Sequence, residues 1–445
     1  VEMSAASVYF YCSADSNRQT LHKRITPSDL QMQEQQSRWN SLADFILPRM
    51  KEALGFPTKS WLQGSYKFHT QIRPVRKGEE FDIDLGLYCS WDQSIEQGAH
   101  TPIHLKQAVR TLLLDFLVGN GDALEVITPP KERCERIRFE GDFHIDCPVY
   151  HLDESRDKRV LATESDSWEE SDPKALYVWF KRQFHSEQRD QVRRLIRYIK
   201  AWSALAADNG ASKPSSTLIT VLVSKAASKL GRRILPDDDA LYSVLDEMLA
   251  MVHAGPFVPH PVEDENLAAG LSTSDWDTFV HRLSRFARIA QQALDARSTT
   301  EACSIWSCVF GHLFPLPDCD TITEDGGLGM PWQPPVVEVE AVWEKDSSRA
   351  FRGTNQIGPI PKGCQIMFRV TNRHEFPSTA RFEWMVRNEG FEAEQANDLG
   401  HSWPPGITVK DRSAYNGRHY MDCTAVDGDR ILGVTRVEVS IYSND

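Results

Sequence analysis

Apolar positions along the chain repeat with two periods, and the period changes with position. From 33 to 54, Trp39, Leu42, Phe45, Ile46, Met50 and Leu54 follow helical spacing, with Pro48 expected to bend or interrupt the helix. In FDIDLGLYCSW (81–91), Phe81, Ile83, Leu85 and Leu87 alternate with Asp82, Asp84, Gly86 and Tyr88, which predicts a strand. Leu105, Ala108, Val109, Leu112 and Phe116 predict a helix over 104–117. ERIRFEGDFHIDCPVY (135–150) carries two alternating runs around Glu140-Gly141-Asp142, which predicts a hairpin.

From about Ser171 the pattern is helical as far as Leu313. Ser171-Asp172-Pro173 reads as a helix start, with a capping side chain before a proline at the first helical position. Further helices are expected around 192–202, from Pro214-Ser215-Ser216 to near Gly231, and over 241–252, 276–294 and 306–313. The stretch 318–335 is rich in Gly, Pro and Asp and reads as a boundary. Beyond it, 336–343, 365–371, 380–387, 419–425 and 431–442 alternate, which predicts a β-sandwich. The expected fold class is α+β, divided into a partly ordered arm (1–30), a mixed core (31–170), a helical lobe closing a cleft (171–317), a linker (318–334) and a C-terminal antiparallel β-sandwich (335–445).

No window approaches ~18 uninterrupted apolar residues, so no membrane span is expected. The first thirty residues show no secretory pattern, and the opening Val1 implies a lost residue or tag before it. A net charge of −13 argues against bulk binding to a phosphate backbone, although a local basic cleft is compatible with it. Nine scattered cysteines read as reduced thiols of a cytoplasmic protein rather than a disulfide framework.

The chemistry concentrates on Asp82 and Asp84. Residues i and i+2 of a strand share a face, about 6.6 Å apart along it. Asp146 lies on a second strand, between inward-facing Ile145 and Cys147, and therefore points outward. If the two strands are neighbours, three carboxylates converge on one open patch. Their repulsion is relieved by hard divalent cations, and a pair of such ions activates an attacking hydroxyl and stabilises a leaving oxygen. The bland alternative is a set of solvent-facing aspartates, but Asp is depleted in strands. About 17 residues before Asp82, Gly64-Ser65 offers a close backbone approach and a hydroxyl to a phosphate, a weak signal alone.

The order QGS, DIDLGLY, HIDCPVY resembles the polymerase-β-like nucleotidyltransferases. Within them it is similar to the bacterial cGAS/DncV-like enzymes (CD-NTases, SMODS type), relatives of oligoadenylate synthetase and animal cyclic GMP-AMP synthase. LIRYIKAW (195–202) resembles the family helix whose lysine holds the donor triphosphate, matched here by Lys200, and Ser215 matches a serine with the same contact. The resemblance spans roughly 35–316. The stretch 335–445, with GPIPKG, RNEG and AEQANDLGHSW, resembles the sensor domain of adenylyl/guanylyl cyclases and SMODS proteins.

The resemblance implies a polymerase-β-like nucleotidyltransferase core with Asp82, Asp84 and Asp146 as catalytic residues and as ligands to two Mg²⁺ ions, with Mn²⁺ as a substitute. Gln63, Gly64, Ser65, Lys200 and Ser215 would surround the triphosphate. ATP and other NTPs would be joined into a cyclic oligonucleotide that acts on a separate effector in CBASS anti-phage defence in the bacterial cytoplasm. The C-terminal domain would take a small ligand. No membrane partner is implied. The acidic chain, lacking the animal enzyme's zinc insertion, argues against activation by duplex DNA. The alternatives are a transferase making linear oligonucleotides or modifying RNA or protein, and a non-catalytic sensor.

Three other features read as structural or stay open. Cys303, Cys308, His312 and Cys319 are spaced irregularly for zinc and read as buried thiols. Trp343, Trp384 and Trp403 read as sandwich core rather than base-stacking platforms. The basic run 131–138 is either a solvated strand edge or a phosphate contact.

Overall fold

The structure, a computed structural model, describes residues 6–15, 18–92, 98–141, 143–206, 213–315, 334–428 and 430–443. The linker expected at 318–334 lies outside the described residues but for its last position, as do Val1, Asp142 and Cys319. The chain divides into two compact units: 25–74 with 78–288, and 1–24 with 75–77 and 289–445.

The unit holding residues 78–288 is built on an eight-stranded sheet whose axis is the strand Phe81–Ser90. Phe81–Asp84 pair in parallel with Phe143–Asp146, and Leu87–Ser90 pair in parallel with Val149–Leu152 at the same residue offset. Pro148, with no N–H to donate, divides the partner into Phe143–Cys147 and Val149–Asp153. Its carbonyl accepts from Leu87 N at 2.9 Å, so the register runs through the break. Thr58–Leu62 covers the other side of the axis strand. Glu135–Phe139 forms the expected hairpin with Phe143–Cys147, pairing Arg136 with Asp146 and Arg138 with His144.

Alternation then assigns the faces. Phe81, Ile83, Leu85, Leu87, Phe143, Ile145 and Cys147 pack in one core with Leu42, Ile46 and Met50 of the helix Asp29–Leu54 and Leu105, Val109 and Leu113 of the helix Pro102–Gly119. The even-numbered residues face the other way. Asp29–Leu54 starts at a capping box on Ser28, five residues before the expected start, and runs unbroken through Pro48. A proline removes one bond of the ladder, and the buried stripe on either side, with Arg49 Nη1 donating to Phe45 O, keeps the helix continuous. The helical stretch follows with Pro173–Gln183, capped by Asp172, then Ser186–Ala206, Ser216–Lys229, Asp237–Val252 and Thr273–Leu294.

In the other unit, two sheets of four and five strands enclose one core, with Val339, Ala341, Ile366 and Phe368 meeting Phe382, Trp384, Met421, Cys423 and Val437. Trp384 is 1% exposed and donates from Nε1 to Gly406 O at 2.7 Å, whereas Trp343 and Trp403 are half-buried at the margin. The sandwich departs from the antiparallel expectation at one edge. Gln356–Pro361 runs parallel to Arg430–Tyr442, because the chain crosses from one sheet to the other within the single residue Asn355 (φ 57°). The short strands Gly400–Trp403 and Thr408–Arg412, the polar Asp346–Thr354 and the proline-containing Gln356–Pro361 were hidden by weak alternation.

Of the stretch read as an arm, residues 6–15 and 18–24 group with this unit. Phe10, on the helix Ser7–Phe10, is fully buried edge-on to Trp306 at 4.8 Å and to Phe314 at 5.2 Å. Trp306 belongs to the helix Thr299–Phe310, which groups with the sandwich rather than with the preceding helices. That helix buries Cys303 but exposes Cys308, since a five-residue step turns the second thiol off the buried stripe. Phe10→Ala should therefore lower the stability of this unit by about 3–5 kcal/mol, read from urea unfolding; an unchanged unfolding curve would restore the reading of 1–30 as an arm.

Candidate active site

The sheet register builds the site. Asp84 lies directly opposite Asp146, and Asp82 opposite His144. All four lie on the face away from the helix-covered core, and the three aspartates line an open cleft of ≈ 610 Å³. Asp82 is half-exposed, Asp84 partly buried and Asp146 8% exposed. Among the described residues Asp84 has no ion pair. Burial, reinforced by the charges of Asp82 and Asp146, pushes its carboxyl up to about 8. Burial would likewise raise Asp146, but Arg136, through hydrogen bonds and charge, and Lys131 hold it below the ordinary value. Arg136 grips Asp146 in a fork, Nε on Oδ1 and Nη2 on Oδ2 at 2.7 Å, while Lys131 Nζ lies 3.5 Å from Oδ2.

Asp82 is held differently. His144 Nε2 lies 2.9 Å from its Oδ1, while His144 Nδ1 is bound at 2.7 Å to Glu80, itself gripped by Arg138. Asp82, His144 and Asp146 bring ligand atoms within 4.8 Å of one another. This donor set of carboxylates and one imidazole, beside the uncompensated Asp84, fits a divalent metal ion.

Gly64-Ser65 opens the short helix Gly64–Phe68 at the cleft wall. Gly64 has φ 55°, and a Cβ there would stand 1.9 Å from Asp84 Oδ2, so only glycine fits beside the carboxylate. Gln63 lines the cleft, but its amide is engaged: Nε2 donates to Tyr88 OH at 2.9 Å and Oε1 accepts from Tyr150 OH at 3.1 Å. The two rings stack at 4.7 Å, and Gln63 N donates to Asp84 O, so this side chain secures the turn. Gly86 leaves the space for it, because a Cβ would meet Gln63 Nε2 at 2.0 Å.

Lys200 and Ser215 also line the cleft. Lys200 is 7% exposed and donates to Thr70 Oγ1 at 3.1 Å. Burial, with the nearby Arg197 charge, lowers its ammonium to about 7, although Asp84 works the other way. Ser215 caps the helix Ser216–Lys229 by accepting from Leu218 N at 3.1 Å, so the N-terminus of that helix, with Ser216 and Thr217, borders the cleft. The structure thus brings all eight expected residues, Gln63, Gly64, Ser65, Asp82, Asp84, Asp146, Lys200 and Ser215, around one cleft.

Sequence reasoning missed Arg136, His144 and Glu80. A hairpin centred on Gly141 already places Arg136 across from Asp146, and the two-residue period puts His144 on the carboxylate face, so both were within reach of counting. Of the basic run 131–138, Lys131 and Arg136 face Asp146, Arg133 pairs with Glu169, and Arg138 pairs with Glu80 and Glu125.

Residues 58–150 match the family described as cyclic GMP-AMP synthase DncV-like, nucleotidyltransferase domain. Residues 330–442 match the adenylyl/guanylyl and SMODS C-terminal sensor domain. The chain therefore carries a DncV-like nucleotidyltransferase domain and a C-terminal domain of the adenylyl/guanylyl and SMODS sensor type. A cyclic GMP-AMP synthase of Escherichia albertii is 29% identical over 435 residues, spanning 96% of this chain and 95% of its own length. A cyclic GMP-AMP synthase of Vibrio cholerae is 26% identical over 231 residues, spanning 40% of this chain and 51% of its own. Among solved structures, a mutant of the Vibrio cholerae di-nucleotide cyclase DncV in complex with ATP, GTP and 5MTHFGLU2 superposes with a TM-score of 0.60 at 18% identity, covering 71% of this chain and 100% of that one. DncV in complex with the linear intermediate 5′ pppA(3′,5′)pG gives 0.59 at 18% identity, covering 70% and 96%. The likeness at this identity bears on the fold. Among the described residues, no helix is long and apolar enough to cross a membrane.

The clearance at Gly64 gives a test of the turn. Gly64→Ala should push Asp84 from its place and lower nucleotidyl transfer about a hundredfold, the loss typical of displacing a reacting group by ~1 Å, with an unchanged circular dichroism spectrum. Full activity in this variant would show that the contact between residue 64 and Asp84 does not matter.

Proposed function

We propose that this enzyme joins nucleoside triphosphates, ATP among them, into a cyclic oligonucleotide second messenger with release of pyrophosphate. The observation that carries the reading is the register that sets Asp84 against Asp146, with Asp82 two residues away, in a cleft also lined by Lys200 and Ser215. The donor triphosphate lies between the turn at Gly64-Ser65 and the start of the helix Ser216–Lys229. Backbone N–H groups, hydroxyls and the Lys200 ammonium hold it there. Gln63 shapes this turn through Tyr88 and Tyr150 rather than touching phosphate.

Asp82, Asp84 and Asp146 are the catalytic residues and the ligands of two Mg²⁺ ions, for which Mn²⁺ substitutes. When bound, such ions lower the pKa of the attacking hydroxyl and neutralise charge on the leaving pyrophosphate. The chain's own part is to aim the donor. Thr70 and Lys200 fix one wall, and the fixed sheet sets the three carboxylates on the other. Made in the bacterial cytoplasm, the product acts on a separate effector in CBASS defence, and the C-terminal domain takes a small ligand. In this reading 31–170 serves as catalytic core, 171–317 as helical lobe and 335–445 as sensor sandwich, while by packing the helix Thr299–Phe310 groups with the sandwich.

Labelled NTPs incubated with Mg²⁺ or Mn²⁺ and then treated with phosphatase test the reaction. A resistant product that disappears in Asp82→Asn and Asp84→Asn is expected. A product that loses a 5′ triphosphate to phosphatase while keeping its internal linkages would mean a linear oligonucleotide, and no product with any NTP would favour a binding-only sensor.

Lys200 gives a second test. At pH 8 an ammonium lowered to about 7 is mostly neutral in the empty cleft. A triphosphate favours the charged form, so NTP binding at pH 8 should take up a proton. Calorimetry in buffers of different ionisation enthalpy reads this directly. Proton uptake of the same size in Lys200→Met would assign the effect elsewhere.

A further inference from the structure

The three carboxylates are not equivalent in charge environment. Asp82 has His144 beside it and Asp84 forms no ion pair among the described residues, but Asp146 is held by two basic side chains. A carboxylate offers about four lone-pair positions on its two oxygens. At Asp146, Arg136 Nε takes one on Oδ1, while Arg136 Nη2 at 2.7 Å and Lys131 Nζ at 3.5 Å approach Oδ2. The grip is set by the backbone, since Arg136 and Asp146 are paired residues of the hairpin. Arg136 lies on a strand whose residues Glu135, Ile137 and Phe139 are buried, so its backbone stays opposite Asp146 wherever the guanidinium swings.

We propose that Arg136 is a positioning residue that occupies the cation side of Asp146 in the nucleotide-free enzyme, so that a divalent ion binds there only by displacing the guanidinium. This rests on the reading of the three aspartates as metal ligands. A fork of two charge-assisted hydrogen bonds holds the carboxylate at a fixed orientation while the cleft is empty. The same fork competes with the ion, both for lone pairs and through like charge. Among the described residues Asp84 has no such competitor. One ion should therefore bind weakly until nucleotide phosphates add further oxygen ligands. The arrangement would keep the full catalytic set from assembling without substrate.

The test is a titration of the nucleotide-free full chain with Mn²⁺, followed by the electron paramagnetic resonance signal of free Mn²⁺. In Arg136→Met, one Mn²⁺ should bind about tenfold more tightly than in the unchanged protein, the scale of one lost charge-assisted contact. Arg136→Lys, which keeps the charge but not the fork, should gain less. Adding Asp146→Asn to Arg136→Met should abolish the gain. If Arg136→Met fails to fold, Arg136→Gln is titrated in its place with the same expectation. Unchanged or weaker Mn²⁺ binding in a folded variant, with Mn²⁺ still bound by the unchanged protein, would overturn the proposal. Failure of the metal reading itself would look different: the unchanged protein would bind no Mn²⁺, or Asp82→Asn and Asp84→Asn would bind it undiminished.

Discussion

Parallel pairing between Phe81–Ser90 and the strands on either side of Pro148 is the constraint on which the site depends. Side chains in a strand alternate, so a slip of one residue would carry Asp82 and Asp84 into the core and Ile83 and Leu85 into the cleft. The apolar residues beneath the sheet forbid that slip. Ile83, Leu85 and Ile145 are fully buried against two helices. The hydrophobic effect, which is itself non-directional, thus fixes the direction of three charged groups through the geometry of the pleat.

The concentration of charge has a counterpart in the surrounding structure. Arg136 and His144, both carried by the sheet, contact two of the three aspartates, and glycine is required where backbone approaches the third. The turn before the axis strand is secured from below by Gln63 between two stacked tyrosines. A site that must hold like charges together is therefore rigid by construction. Its flexible elements would be the long basic side chains that cover it, rather than the strands that carry it.

Much of this was legible in the sequence. Period-two runs located the two strands carrying the aspartates, and the hairpin at Gly141 followed from its turn residues. Helix starts at Asp172 and Ser215 could be read from capping chemistry. What escaped had physical reasons. Phe10 sits in a polar stretch too short for periodicity, and its burial depends on aromatic residues some three hundred positions away. Gln63 reads as a phosphate contact until the two tyrosines that occupy its amide are brought beside it by the fold. The edge strand Asp346–Thr354 exposes most of its side chains and Gly400–Trp403 is only four residues long, so hydrophobic alternation could not reveal them.

Arg387 of the sandwich carries a consequence for dissecting the molecule. Its guanidinium is 1% exposed, pairs with Asp422 at 2.7 Å, and also donates to Phe314 O and to Ser307 Oγ. Those two acceptors precede position 330, where the match to the sensor family begins. A fragment cut at that family boundary would leave donors of a sequestered cation unsatisfied and strip away the aromatic cap formed by Phe10, Trp306 and Phe314. The smallest autonomous piece is therefore larger than its evolutionary label, and it is discontinuous, drawing on both ends of the polypeptide.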